Sequence, residues 1–221
     1  MAAAATLVAA AFALSTWERW LVRRRRHELA WSVALTLFAL ASLTLWAGAA
    51  MGWRPATFRG FYLLGAIVNV PYLAVGSIYL VAGRRAGDRA AAAATVLAAF
   101  ATGVLVSAPL TGTIDPDELP RGSDVFGALP RVLAAGASAG GALAVLGAAV
   151  WSAARRRNVL ANALISAGVL VLSASGLLNA ALGEMEAFSV TLAAGVTLLF
   201  VGFLVATVPR SYGRRVSPAD A

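Results

Sequence analysis

Apolar residues fill long blocks of this chain, and arginine clusters or short polar stretches separate the blocks. A membrane-spanning helix needs about 20 predominantly apolar residues, and seven blocks have that length. Their approximate bounds are 2–22, 29–51, 59–83, 90–111, 129–153, 159–182 and 187–208. The pattern predicts an all-α fold, a bundle of seven transmembrane helices in a single membrane domain over residues 1–209. Residues 210–221 are predicted to form a short tail.

Composition agrees with a membrane location. The chain has 221 residues, of which 60% are hydrophobic and 13% are charged. A soluble domain is closer to half apolar and a quarter charged. We therefore expect a multi-pass protein of the plasma (inner) membrane of a bacterium.

The arginines predict the orientation. Fourteen of the eighteen lie at the ends where the first, third, fifth and seventh blocks finish, and four lie at the opposite ends. Basic residues concentrate on the cytoplasmic side of a membrane. The expected topology has the N-terminus outside and the C-terminus, with its tail, inside.

Two arginine-rich stretches suggest an internal repeat. WLVRRRRHELAW resembles WSAARRRNVLAN when Trp20 is aligned with Trp151, 131 residues later. The same offset pairs the first three spans with the last three, which predicts a 3+1+3 parallel repeat like those of some transporters. The alternative is that topology alone produces the match, because every helix running inward is expected to end in an aromatic residue and arginine.

The third block contains an interruption. Within GAIVNVPYLAVGS, Pro71 has no N–H, so the carbonyl of Ile67 loses its helical partner and the helix bends. Asn69 and Tyr72 flank the bend with hydrogen-bonding groups. Broken helices at mid-membrane are where transporters place substrate sites, and a kink bonded to a neighbouring helix is the plainer alternative.

Two other spans offer candidate residues. In the sixth span, Asn162, Ser166 and Ser173 fall on one helix face, so they are candidates to line a polar cleft with the kink. In the fifth span, GASAGGALAVLG places Gly136, Gly140 and Gly147 along the helix. Gly136 and Gly140 form a GxxxG motif, which lets helices approach closely, either inside the bundle or in a dimer.

The residue inventory argues against several chemistries. The chain has no Cys, no Lys and one His, so thiol, retinal Schiff-base, haem and zinc chemistry lack their usual ligands. Glu18, Glu28 and Asp88 lie at predicted inner ends, which favours an interfacial cluster over a proton relay. The long outer loop, 112–128, is acidic and is expected to be solvated. We expect no catalytic residues, no metal and no cofactor.

The stretches HELAWSVALTLFALASLTLW and FRGFYLLGAIVNVPYLAVGSIYL resemble uncharacterised polytopic membrane proteins of high-GC bacteria. This resemblance covers the first three spans and implies no activity. The predicted span count and orientation also resemble those of SWEET-type transporters, but the prolines that mark the first two spans of each SWEET repeat are absent, so no residue roles carry over.

Two functions fit these patterns. The first is a membrane module without catalytic chemistry, sensor-like or partner-binding, that acts through helix contacts. Its partners are the lipid bilayer and either a second copy of the chain or another membrane protein, and not nucleic acid. The second is a facilitative transporter or channel for a small neutral or lipid-like ligand, with its site at the kink.

Overall fold

The computed structural model describes residues 2–155, 159–182 and 185–207. Helices make up most of this part of the chain, and they follow the blocks of apolar residues. Their bounds are α1 Ala2–Arg23, α2 Arg26–Met51, α3 Pro55–Phe61, a π-helical segment Tyr62–Val68, α4 Asn69–Ser107, α5 Gly122–Val125, α6 Ala128–Ala154, α7 Val159–Leu182 and α8 Met185–Thr207.

The all-α class predicted from the sequence is confirmed, and the chain is a membrane protein by the length and composition of its helices. Three described helices are long and apolar enough to cross a membrane: Arg26–Met51, Pro55–Ser107 and Ala128–Ser152. Two shorter apolar stretches are Val159–Leu172 and Val190–Val205. The number of crossings, their direction and the repeat stay predictions.

The third and fourth predicted spans are one helical run in the structure, Pro55–Ser107, of 53 residues. The run bends sharply at Gly83, whose φ of 81° and ψ of −174° are far from helical values. Essentially only glycine adopts this backbone region without strain. Gly83 therefore divides α4 into a first half, residues 69–82, and a second half, residues 84–107.

Polar contacts hold the region beside this bend. The Asp88 carboxylate accepts a hydrogen bond from the Tyr79 hydroxyl at 2.7 Å and forms an ion pair with Arg26 at the start of α2. Arg84, one helical turn before Asp88, lies 3.7 Å from the same carboxylate. These contacts join α2 to both halves of α4.

The helices pack in a closed order. Each helix contacts the next one in the order α1, α2, α4, α6, α7 and α8, and α8 also contacts α1. One buried cluster gathers apolar side chains from all six of these helices, with Trp31 of α2 stacked on Phe203 of α8 at 4.3 Å between ring centroids. Trp31 fits because Gly76 of α4 has no side chain: a Cβ there would lie 2.1 Å from the indole ring.

The sequence predicts a solvated loop after α4, but part of this segment is buried. Val125 and Phe126 are each 1% exposed, and Phe126 stacks on Phe58 of α3. The backbone N–H of Trp53 donates to the carbonyl of Pro116 at 2.9 Å. The acidic side chains of this segment stay exposed, but its apolar residues cover one end of the bundle.

Arg59 of α3 caps the C-terminal end of α4 at the same end of the bundle. Its guanidinium donates hydrogen bonds to the carbonyls of Leu105, Val106 and Ala108. The last carbonyls of a helix have no partner within the helix, so this side chain satisfies groups that membrane burial would otherwise leave unpaired.

We expect Gly83→Ala to destabilise the protein by about 1–3 kcal/mol, because the Cβ strains a backbone conformation that only glycine adopts readily. Gly103→Ala is the matched control. Gly103 lies in a regular part of α4 with open space around it, where alanine should stabilise by about 0.5–1 kcal/mol. Unfolding in detergent micelles measures both changes. Equal effects of the two substitutions would contradict the assignment of the bend to Gly83.

Candidate functional site at the kinked helix

The helix changes register just before Pro71: it is π-helical up to Val68 and α-helical from Asn69 as far as the bend at Gly83. We call this change of register the kink, and a bend at Pro71 itself stays a prediction. Residues Tyr62–Val68 are π-helical, so each hydrogen bond spans five residues instead of four. Counted in that register, the donor that Pro71 lacks is the one that the carbonyl of Ala66 would accept. The Ser138 hydroxyl of α6 donates to this carbonyl at 2.7 Å. A neighbouring helix therefore satisfies the backbone at the kink, as the membrane environment requires.

Helix α6 lies directly against the kink. A Cβ on Gly141 would be 2.9 Å from the nitrogen of Pro71 and from the carbonyl carbon of Val70. Only glycine permits this approach, which brings Ser138 within reach of Ala66. The sequence analysis did not single out Ser138 or Gly141. The sequence feature that could have identified them is their spacing of three residues, which places both on one face of α6.

The two flanking polar residues have different environments. Asn69 is 7% exposed, inside the bundle. The Tyr72 hydroxyl is 3.0 Å from the hydroxyl of Thr95, which lies on the second half of α4. This hydrogen bond joins the two halves of α4 across the bend, so Tyr72 has a structural role at the candidate site.

The polar face predicted on the sixth span lies on α7. The Asn162 amide donates to the Ser152 hydroxyl of α6 at 2.7 Å, and both side chains are buried. The Ser166 hydroxyl is also buried, without a hydrogen-bond partner in the described ranges. Ser173 lies on α7, and its side chain is outside the described residues.

Apolar packing fills the region between the kink and this face. Leu73, next to Tyr72, belongs to the same buried cluster as Ile165 and Val169 of α7. Within the described part of the chain, hydrogen bonds thus link the π-helical segment to α6 and α6 to α7, and the structure does not bring Tyr72 and Asn162 together around a polar cleft. Whether these residues bind a ligand stays a prediction.

An apolar groove opens beside the kink. It has a volume of about 280 Å³ and lies between the two halves of α4 and α6. Every residue lining it is apolar, and most are small: Pro71, Ala74, Val75, Ile78, Ala90, Ala93, Ala94, Leu97, Gly136, Ala137, Gly140, Gly141 and Ala144. We call this feature the α4–α6 groove.

The glycines of the GxxxG motif line this groove and do not touch a neighbouring helix. A Cβ built on Gly136, Gly140 or Gly147 meets no described atom within 4 Å. The close packing inside the bundle uses Gly141 instead. The other role expected for the motif, a contact with something outside this chain, stays a prediction for these three positions.

One buried charge was not expected from the sequence. Glu28, predicted to be interfacial, is 0% exposed, and neither carboxylate oxygen has a hydrogen-bond partner within the described ranges. Arg19 of α1 is near enough to interact with it electrostatically. Burying a charge is costly unless opposite charge compensates it, and Arg19 at the end of α1 supplies opposite charge near Glu28.

Comparison with known proteins adds no relative. The chain matches no family model, no curated protein and no solved structure. The resemblance to polytopic proteins of high-GC bacteria therefore stays a prediction, and the geometry described above carries the functional argument.

We expect Ser138→Ala to destabilise the protein by about 1 kcal/mol, the scale of a hydrogen bond between membrane helices. The loss should be smaller in a Pro71→Ala background, because an alanine N–H at position 71 replaces the missing donor. A double-mutant cycle of unfolding free energies measures this coupling.

Thr102→Ala is the control for that cycle. Thr102 donates only to the carbonyl of Ala98 in its own helix, at 2.7 Å, and its loss should cost the same in the wild-type and Pro71→Ala backgrounds. If Ser138→Ala also had the same effect in both backgrounds, the hydroxyl would not be compensating for the proline.

Proposed function

We propose that this protein is a membrane module without catalytic chemistry that binds a partner inside the bilayer at the α4–α6 groove. The groove is the observation that carries this proposal. It is open, wholly apolar and lined by small residues, which are the features of surfaces where membrane constituents pack closely. It also adjoins Pro71, so whatever fills it contacts the kinked part of α4.

The use of polar groups within the chain supports the module over a carrier. Ser138 satisfies the kink, Tyr72 bonds Thr95, and Asn162 bonds Ser152. A carrier of neutral solutes needs polar groups that face a water-filled path. Of the residues predicted to line such a path, Tyr72 and Asn162 instead form hydrogen bonds between helical segments of this chain.

The facilitative carrier stays the second candidate because of the π-helical segment. Such segments are rare and frequently mark functional sites, and this one lies immediately before Asn69 within a long helical run. A carrier would move its solute past Asn69 and Tyr72 as the kink straightens.

We further propose seven spans, with the N-terminus outside, in a 3+1+3 arrangement. The arginine distribution supports the orientation. A repeated contact supports the internal repeat: Arg24 lies over the ring of Trp20 at 5.1 Å, and Arg155 lies over the ring of Trp151 at 4.4 Å. These two pairs correspond to each other under the offset of 131 residues found in the sequence.

Single cysteines test the topology against a background that has no native cysteine. Asp117→Cys lies in the exposed segment after α4, and Arg85→Cys lies beside the bend at Gly83. A maleimide that cannot cross membranes should label the first in intact cells and the second only after permeabilisation. The reverse result would show that the bundle has the opposite orientation.

Cysteine accessibility tests whether the groove is occupied, because a cysteine side chain is small enough to leave most of the groove open. Gly140→Cys should react slowly with a small membrane-permeant methanethiosulfonate in native membranes, and the reaction should become faster after the protein is stripped of lipid in detergent. Leu143→Cys is the control at similar depth: Leu143 is 69% exposed, lies one turn away and does not line the groove. The reaction rate of Leu143→Cys should change little on stripping.

Equal changes at positions 140 and 143 would mean that the groove holds no specific partner. That outcome would contradict the proposed module and would leave the carrier as the remaining candidate.

A further inference from the structure

We propose that the partner in the α4–α6 groove is an anionic phospholipid, with one acyl chain in the groove and its phosphate held by Arg89 and Arg155. This inference rests on the proposed function, because it names the occupant of the same surface. The arginines are an observation separate from the groove itself.

The dimensions of the groove favour an acyl chain over a helix. One turn of a helix, about 10–12 Å across and 5.4 Å long, occupies roughly 400–600 Å³, which is more than the groove volume of about 280 Å³. An acyl chain is thin, flexible and wholly apolar, like the lining. Alanine and glycine side chains leave room for it along both walls.

Along α6, the small residues that line the groove are followed by a tryptophan suited to the membrane interface and then by an arginine. Trp151 and Arg155 follow Ala144 by seven and eleven residues, which are close to two and three helical turns, so all three share one face. Arg155 keeps the helical register, because its N–H donates to the carbonyl of Trp151 at 3.2 Å. Trp151 is 52% exposed, as expected of a ring at the level of lipid headgroups.

The facing wall carries a second cation at the same end. Arg89 directly precedes Ala90 and lies one turn before Ala93, both of which line the groove. Side chains of a helix point toward its N-terminus, so Arg89 extends from the groove toward the bend at Gly83. Both Arg89 and Arg155 are exposed.

The described ion pairs of this region do not involve Arg89 or Arg155, so both guanidinium groups are available to an external anion. The described carboxylate of Asp88 is engaged by Arg26 and Arg84. None of the described carboxylates forms an ion pair with Arg89 or Arg155. Basic side chains placed between membrane helices at the cytoplasmic side bind acidic lipid headgroups, and arginine suits phosphate because its donors match the phosphate oxygens.

Native mass spectrometry of the full chain tests this inference, with phosphatidylglycerol and phosphatidylcholine of identical acyl chains as probes. We expect wild type to retain one phosphatidylglycerol and to prefer it over phosphatidylcholine. Arg89→Gln and Arg155→Gln should each weaken retention of phosphatidylglycerol by about fivefold, the effect expected for one arginine near an acidic headgroup. Gly140→Leu should abolish it by filling the groove.

Two control variants separate the groove from the rest of the surface. Arg131→Gln removes an exposed arginine at the opposite end of α6, and Ala139→Leu places the same leucine side chain as Gly140→Leu at an exposed neighbour that does not line the groove. Both should bind phosphatidylglycerol like wild type. Unfolding temperatures of all variants confirm that each one folds.

Two outcomes would overturn the lipid assignment. Equal retention of the two phospholipids would show that the arginines do not hold a headgroup. A second copy of the chain, or another polypeptide, that occupies position 140 and is not displaced by phosphatidylglycerol would make the occupant a protein. The second outcome leaves the proposed module intact, whereas the cysteine-accessibility experiment above decides the module itself.

Discussion

The missing N–H of Pro71, in the middle of a helix that is apolar enough to cross a membrane, is the constraint on which this structure depends. A carbonyl without a partner is costly in hydrocarbon, and two adjustments deal with it. The helix widens into the π-helical register over Tyr62–Val68, and Ser138 donates to the carbonyl of Ala66. The second adjustment requires α6 to come very close, which Gly141 allows.

That close contact has a consequence for the surface beside it. At Gly141 the backbones of α4 and α6 touch, while on the adjoining face Gly136 and Gly140 have no side chains to fill the space between the helices. The α4–α6 groove results from these two facts together. The close contact that satisfies the backbone before Pro71 therefore lies next to the α4–α6 groove. For this reason the kink and the proposed binding surface are adjacent.

Charges act mainly at one end of the bundle. Asp88 joins α2 to the bend of α4 through Arg26 and Tyr79, and Glu28 lies buried near Arg19 where α1 and α2 meet. Other arginines lie over tryptophan rings, Arg24 over Trp20 and Arg155 over Trp151. Some arginines of this end therefore join helices through ion pairs, as Arg26 does, and others lie over tryptophan rings.

The sequence by itself determined the helical class and the membrane location, and it indicated that the helix is irregular near Pro71. These follow from the length of the apolar blocks and from the chemistry of proline, which are local properties. Only the tertiary structure decided what satisfies the kink, because Ser138 and Ala66 are far apart in the chain. The same holds for the burial of Glu28 and for the role of each glycine: GxxxG drew attention to Gly136 and Gly140, yet Gly141 makes the close contact. The rotation of α6 against α4 decides which glycine touches a neighbour, and that rotation results from packing among all the helices.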